Sequence, residues 1–367
     1  MFLGTFAWSF VYVSLPFHIE RLSPLNPEAT LRWTGWILGI SSLVTVVTSP
    51  FWGRQAERGN PKRLYVRAQF LQGIAFFGTA LARTLPELFL ARLALGFVGA
   101  VSTFAFVSVG RSGDPGEVRR QIAAVQSAMT VGQVIGPLAG AVAAARVGFR
   151  ASFVVGGLIL WGTSALVAWG VPTPEPRPAA ASGRAPGVRE VAAVALIVLS
   201  ASTQVFFLTS VLPRILPELG VEKGQTLEIG GLVIFASGVA AALGALATPR
   251  VREAVREPRL IAILLAASSA FLAALGAVGS VWSFGVVRFL QVLCIAPVFP
   301  LVVAGIVQHA GGAAIGIVNS SRIGAAFLGP VAATTLLAWT SPTTLYLVLA
   351  AIGFACLPLV RRTQRGR

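Results

Sequence analysis

The sequence predicts an all-α integral membrane protein of about twelve transmembrane helices in two pseudo-symmetric six-helix halves. Three observations predict it. Long apolar runs recur along the whole chain, basic residues cluster in the short breaks between them, and landmark residues repeat at a nearly constant offset.

Composition comes first. Of 367 residues, 55% are hydrophobic and only 11% charged, where a soluble domain carries about 25% charge. With a mean hydropathy of +0.79, neither a soluble domain nor a disordered chain fits. A membrane-crossing helix needs roughly 20 mostly apolar residues. Twelve such segments can be drawn: 1–19, 33–52, 64–83, 88–109, 122–145, 150–170, 191–213, 228–248, 260–279, 281–307, 313–338 and 343–360. The first begins at Met1 without a basic lead. A cleaved signal peptide would need a charged n-region and a small-residue cleavage site, and this segment has neither.

A formal net charge of +16 is compatible with nucleic-acid binding, but the placement of the charges argues against it. With the N-terminus inside, nineteen of the 29 Lys and Arg fall in cytoplasmic segments 53–67, 110–121, 171–190, 249–259 and 361–367. That excess puts both termini in the cytoplasm of a multi-pass inner (plasma) membrane protein, with the lipid bilayer and no nucleic acid as partner. Trp33, Trp36, Trp52, Trp169, Trp282 and Trp339 fall at span ends, where amphipathic rings prefer the interface.

The stretch 172–190 is rich in Pro, Ala and Gly and reads as a flexible or extended linker. It separates an N-terminal six-helix half, 1–171, from a C-terminal one, 191–367. Ser49-Pro50 and Thr248-Pro249 end spans two and eight. Arg92 and Arg288 lie in spans four and ten, and Gly136-Pro137 and Gly329-Pro330 in spans five and eleven. The offsets are 199, 196 and 193 residues. Parallel halves around a midplane site are one way transporters are built.

Cys294 and Cys356 lie inside apolar segments without a CxxC partner, and His18 and His309 are far apart. Neither a disulfide scaffold nor a metal site is expected, no cofactor signature is present, and no nucleophile–base pair suggests an enzyme.

The loop after span two carries the clearest motif, Gly53-Arg54-Gln55-Ala56-Glu57-Arg58-Gly59-Asn60-Pro61-Lys62-Arg63. It resembles the loop signature G-x-x-x-D-R-x-G-R-[KR]-[KR] of the major facilitator superfamily. Gly53, Glu57, Arg58, Lys62 and Arg63 match, the acid conservatively. Asn60-Pro61 replaces the second Gly-Arg, and Asn60 is expected to supply a left-handed turn. The resemblance implies that Glu57 caps a neighbouring helix terminus and closes a cytoplasmic gate, against the competing reading of a merely solvated basic loop.

Arg92-Leu93-Ala94-Leu95-Gly96 resembles the family's span-four signature R-x-x-x-G. An arginine inside a span is costly and should face the bundle interior, or else snorkel to the outer edge. Arg288 repeats it. Gly132, Gly136, Pro137 and Gly140 resemble the span-five antiporter signature G-x-x-x-G-P-x-x-G-G, with Ala141 in the last position. Glycines permit close helix approach and Pro137 removes a backbone hydrogen bond; the signature implies export more than import, and plain packing is the alternative. Ser14-Leu15-Pro16-Phe17-His18-Ile19-Glu20 and Ser49-Pro50-Phe51-Trp52-Gly53 resemble spans one and two of bacterial twelve-span multidrug efflux members, the drug/proton antiporters.

None of the thirteen acids sits in mid-membrane, so the family's coupling ion, the proton, lacks an obvious carrier; His18, Glu20 and Glu228 near the outer edge are fallback candidates. Arg322 lies instead near the middle of span eleven, three residues after Asn319 and so on one helix face with it. It stands where the repeat would have Met129, and Asn319 and Arg322 become substrate-cavity candidates.

The expected function is a monomeric secondary active transporter that exports small amphipathic molecules by alternating access. The alternatives are an importer or exchanger of an anionic metabolite within the same superfamily and, from another class, a non-transporting membrane scaffold or receptor.

Overall fold

The computed structural model describes residues 1–110, 115–172, 187–254, 257–307 and 312–362. The described residues form helices and no strand: α1 (Phe2–Tyr12), α2 (Leu15–Leu22), α3 (Pro27–Arg58), α4 (Pro61–Leu81), α5 (Leu85–Phe97), α6 (Val101–Gly110), α7 (Pro115–Val147) and α8 (Phe149–Gly170). Further along the chain come α9 (Val188–Glu218), α10 (Thr226–Ala254), α11 (Glu257–Ala274), α12 (Val281–Ile295), α13 (Val298–Val307), α14 (Gly312–Trp339), α15 (Pro342–Ala355) and α16 (Leu357–Arg362). Only helices satisfy every backbone group of such apolar segments in lipid without a barrel.

Local chemistry fixes where helices start. The Asn60 side chain accepts the Arg63 N–H at 3.1 Å, with Pro61 in the first turn of α4. Asn60 has φ −97°, and no non-glycine residue among those described has positive φ. The expected left-handed turn is thus replaced by an N-cap, which Pro at the first helical position favours. Thr84 caps α5 by accepting from Glu87 N at 3.4 Å, while Glu87 Oε2 accepts the Arg83 N–H at 2.8 Å, a variant of the capping box. Ser280 caps α12 by accepting from Ser283 N, 196 positions after Thr84.

Among the described residues, eleven helical segments are long and apolar enough to cross a membrane. The segment that falls short is α4, whose Arg67, Gln69 and Gln72 lower its hydropathy. Both glutamines are buried at 1% exposure, so the dip marks interior polar groups. Four of the segments are breached partway: α1/α2, α5/α6, α12/α13 and α15/α16. Trp169, Trp282 and Trp339 are each more than two-thirds exposed, as interfacial rings should be.

The contacts divide the chain into two units. The first comprises Met1–Leu25, Trp36–Ala180 and Leu227–Phe235; the second comprises Asn26–Gly35, Ala181–Thr226 and Ala236–Arg367. In the first, α4 lies along α8: Trp161 Nε1 donates to Phe70 O at 3.0 Å, Ser164 Oγ to Val66 O at 2.9 Å, and the Trp161 ring stacks on Phe70. In the second, α9, α11, α13 and α16 share an apolar core that includes Val194, Ile197, Val198, Leu265, Val298 and Val360. Water supplies no drive between helices in lipid, so close packing and such hydrogen bonds hold each unit together.

Candidate functional site

The four helices α1, α4, α5 and α7 place three of the expected features in the first unit. Arg92 of α5 is buried at 2% exposure and does not snorkel. Its guanidinium carbon lies 5.4 Å from the centre of the Trp8 ring. Trp8 is oriented in turn by α4: its Nε1–H donates to Gln72 Oε1 at 3.2 Å, and Gln72 Nε2 donates to Val98 O at 2.9 Å, at the break between α5 and α6. Ser41 Oγ donates to the Arg92 carbonyl at 2.7 Å and Thr45 Oγ1 to the Gly96 carbonyl at 2.9 Å, so α3 grips α5 from the other side. Among the described residues no hydrogen bond reaches the Arg92 guanidinium, and its Nε is buried without a partner.

Arg288 of α12 is equally buried, at 1% exposure, in the second unit. Its partners are of another kind. Nη1 donates to Gln204 O at 2.8 Å and to Gln291 Oε1 at 2.6 Å, and Nη2 donates to Val205 O at 2.9 Å. The Phe207 ring centre lies 5.3 Å away. Gln291 Nε2 passes the network on to Gln204 Oε1 and Ser268 Oγ, and Ser268 Oγ donates to Gln204 Oε1 at 2.9 Å. Hydrogen bonds to charged groups are worth about 1.5–3 kcal/mol each, against about 0.5–2 kcal/mol for one cation–π contact. Arg288 is therefore held far more firmly than Arg92.

The antiporter-type run builds a backbone-to-backbone seam between α7 and α1. A Cβ on Gly132 would lie 2.8 Å from Phe2 O, one on Gly136 would lie 2.7 Å from Ser9 Cβ, and one on Gly140 would overlap the Phe10 carbonyl. Pro137 is buried between them. In the second unit, α14 lies against α9, where a Cβ on Gly329 would lie 3.2 Å from Phe207 N.

Arg322 of α14 is partly buried, with its guanidinium carbon 5.5 Å from the ring centre of Phe299 on α13. The side chain of its neighbour Asn319 lies outside the described residues, as does that of Glu57. The rest of the loop motif sits at the junction of α3 and α4: Arg58 and Arg63 are exposed, and Gly53 and Lys62 are partly buried. His18 is buried between the rings of Phe149 and Phe153, and among the described residues its Nε2 has no hydrogen-bond partner. No group of three or more His, Cys, Asp or Glu that could hold a metal occurs among the described residues.

Sequence reasoning missed Trp8, Gln72, Gln204, Ser268 and Gln291. A signal existed: Trp8/Gln204, Gln72/Ser268 and Arg92/Arg288 are each separated by 196 positions. Polar side chains at the repeat offset inside apolar runs are the trace of an interior network.

The sequence profile of the Major Facilitator Superfamily matches residues 1–259. The chain belongs to the major facilitator superfamily. This major facilitator protein is 26% identical over 157 residues to the uncharacterized MFS-type transporter YuxJ of Bacillus subtilis, an alignment covering 43% of this chain and 40% of that protein. It is 25% identical over 299 residues to multidrug resistance protein MdtG of Citrobacter koseri, covering 79% and 73%. Among solved structures, the human organic anion transporter MFSD10 superposes with a TM-score of 0.73 at 14% identity, over 98% of this chain and 96% of that one. The nucleoside transporter NupG superposes with a TM-score of 0.74 at 12% identity, over 99% and 97%. At such identities these structures show the fold alone, that of multi-pass membrane transporters.

Proposed function

We propose that this protein is a monomeric secondary active exporter of small amphipathic molecules in the bacterial inner membrane. It works by alternating access of the halves 1–171 and 191–367, with both termini and the linker 172–190 in the cytoplasm. The observation that carries this reading is the similarity over 79% of the chain to proteins named multidrug resistance protein MdtG. The close seam that Gly132, Gly136 and Gly140 of α7 make against α1 supports it, since the signature they form implies export. Glu57 closes the cytoplasmic gate in this reading: Glu57→Gln should lower turnover about tenfold with normal membrane insertion, as loss of one charged contact does.

Arg322 sets the substrate class. A fixed positive charge in a low-dielectric span gives a strong local field, and no mid-span carboxylate is present to offset a substrate cation. Neutral and anionic compounds are therefore favoured over quaternary cations. The test is efflux of carboxyfluorescein and of ethidium from proteoliposomes, with and without a pH gradient, in wild type, Arg322→Lys and Arg322→Ala. Carboxyfluorescein should move faster, Arg322→Ala should lose most of that transport, and Arg322→Lys should keep part of it. Faster ethidium transport, or normal carboxyfluorescein transport by Arg322→Ala, defeats the cavity role; no gradient-driven movement of either probe defeats the exporter reading.

A second reading, import or exchange of an anionic metabolite, draws on Arg322 itself and on the fold shared with a protein described as an organic anion transporter. Uphill uptake of an organic anion without efflux of either dye would favour it.

A further inference from the structure

The repeat puts an arginine at equivalent points of spans four and ten, and the two have nearly identical burial. Their terminal nitrogens differ. Those of Arg288 make three hydrogen bonds, to two successive carbonyls of α9 and to Gln291. Those of Arg92 make none among the described residues; the Trp8 face and, more distantly, the Tyr12 phenol lie beside the charge instead. A buried charge is ordinarily paired or hydrogen-bonded, and an unpaired one within a span tends to lie on a transport pathway.

We propose that the two arginines have separate roles: Arg288 is a positioning residue that fastens α12 to α9, and Arg92 is a binding residue that leaves the Trp8 face to take an oxyanion carried by the substrate. The inference rests on the transport reading for its meaning, but not for its test. Trp8 is the natural reporter, because the guanidinium sits over its ring. Gln72 holds that ring in place by accepting its N–H, so the ring stays put when the cation moves. On the Arg288 side, a lysine could not replace the fork, since one ammonium cannot reach two carbonyls and an amide in the same plane. A lysine at position 92 needs only a ring face.

Detergent-solubilised full-length protein tests both roles. The difference in emission between wild type and Trp8→Phe isolates Trp8 from the other seven tryptophans. Sodium benzoate should change that difference signal saturably, and sodium chloride at equal ionic strength should not. The benzoate response should vanish in an Arg92→Gln background and survive in Arg92→Lys. Arg288→Gln and Arg288→Lys should each lower the apparent Tm by roughly 5 °C or more, while both Arg92 variants stay within about 2 °C of wild type. Should Arg288→Gln fail to fold, Gln291→Leu removes one of the three acceptors and should lower the Tm less, with the benzoate response intact. A flat Trp8 signal, or a response preserved in Arg92→Gln, overturns the role of Arg92. Equal thermal losses at positions 92 and 288 overturn the role of Arg288. Because benzoate binding is read without transport, failure here is distinct from failure to export dyes.

Discussion

Opposite Gln72 of α4 stands Trp8; opposite Ser268 of α11, 196 positions on in both helices, stands Gln204. One pair meets through an indole N–H and an amide oxygen, the other through a hydroxyl and an amide oxygen. The backbone relationship has been kept while the side chains have diverged. That divergence decides what the adjacent arginine can do. Arg288 donates to the carbonyls of Gln204 and Val205 and to Gln291, whose own amide is held by the Gln204 side chain; in the first unit the position related to Gln291 is Leu95, and an indole stands at 8. In a membrane interior, where few competing partners exist, such changes alter the state of a neighbouring charge.

Three experiments bear on how deep the difference between the halves runs. The largest effect is expected at the α1–α7 seam. Gly140→Val should abolish folded yield, because its Cβ overlaps a carbonyl that cannot move without the whole of α1. The repeat-related Ala333→Val on α14 should cost only the ~1–3 kcal/mol of an overpacked core. Fluorescence-detected gel filtration of both variants measures this, and equal yields would show the two seams to be alike.

A smaller difference is expected at the amides. The Gln204 side chain joins three hydrogen bonds, with Ser268, Ser269 and Gln291, and that of Gln72 joins two. Gln204→Leu should lower thermal stability more than Gln72→Leu, by roughly 1 kcal/mol, since membrane hydrogen bonds average about 0.6 kcal/mol and orphaned partners add to the loss. The reverse order would mean that the second-unit network is slack.

The smallest contrast is at the caps. Thr84→Ala and Ser280→Ala each remove one N-cap acceptor at repeat-related positions. Each should cost about 1 kcal/mol, and thermal melts should agree to within error. A clear inequality would show that the repeat has diverged in its local turns as well as in its interior.

Much of the fold could be read in the sequence because hydropathy and loop charge act over whole segments. The twelve runs, the basic breaks and the landmarks at 199, 196 and 193 residues needed no side-chain geometry. The interior network was not legible in the same way. Gln69 and Gln72 register in a hydropathy sum only as a shallow dip, and it is their burial that distinguishes an internal polar contact from a weak span. Asn60 misled for a related reason: Asn suits both a left-handed turn and an N-cap, and the following Pro61, which fits the first turn of a helix, was the sign of the latter. The break at Val98–Ala100 has no proline of its own, whereas that at Val13–Ser14 is followed by Pro16 in the first turn of α2, which was a readable signal. Arg92 was visible as a charge, but whether it turned inward depended on Trp8, 84 positions away.

Gly148 is the entire connection between α7 and α8, turning the chain at φ +87° while its N–H closes the last turn of α7 on Ala144 O. A side chain there would strain the backbone, but the larger consequence is mechanical. One residue reaches at most about 3.6 Å, so this joint has almost no slack. An axial displacement of α7 would meet almost no slack before α8, whose Trp161 and Ser164 bonds tie it to α4. Lengthening the joint by a few flexible residues would give the two helices slack to move apart while leaving each helix intact.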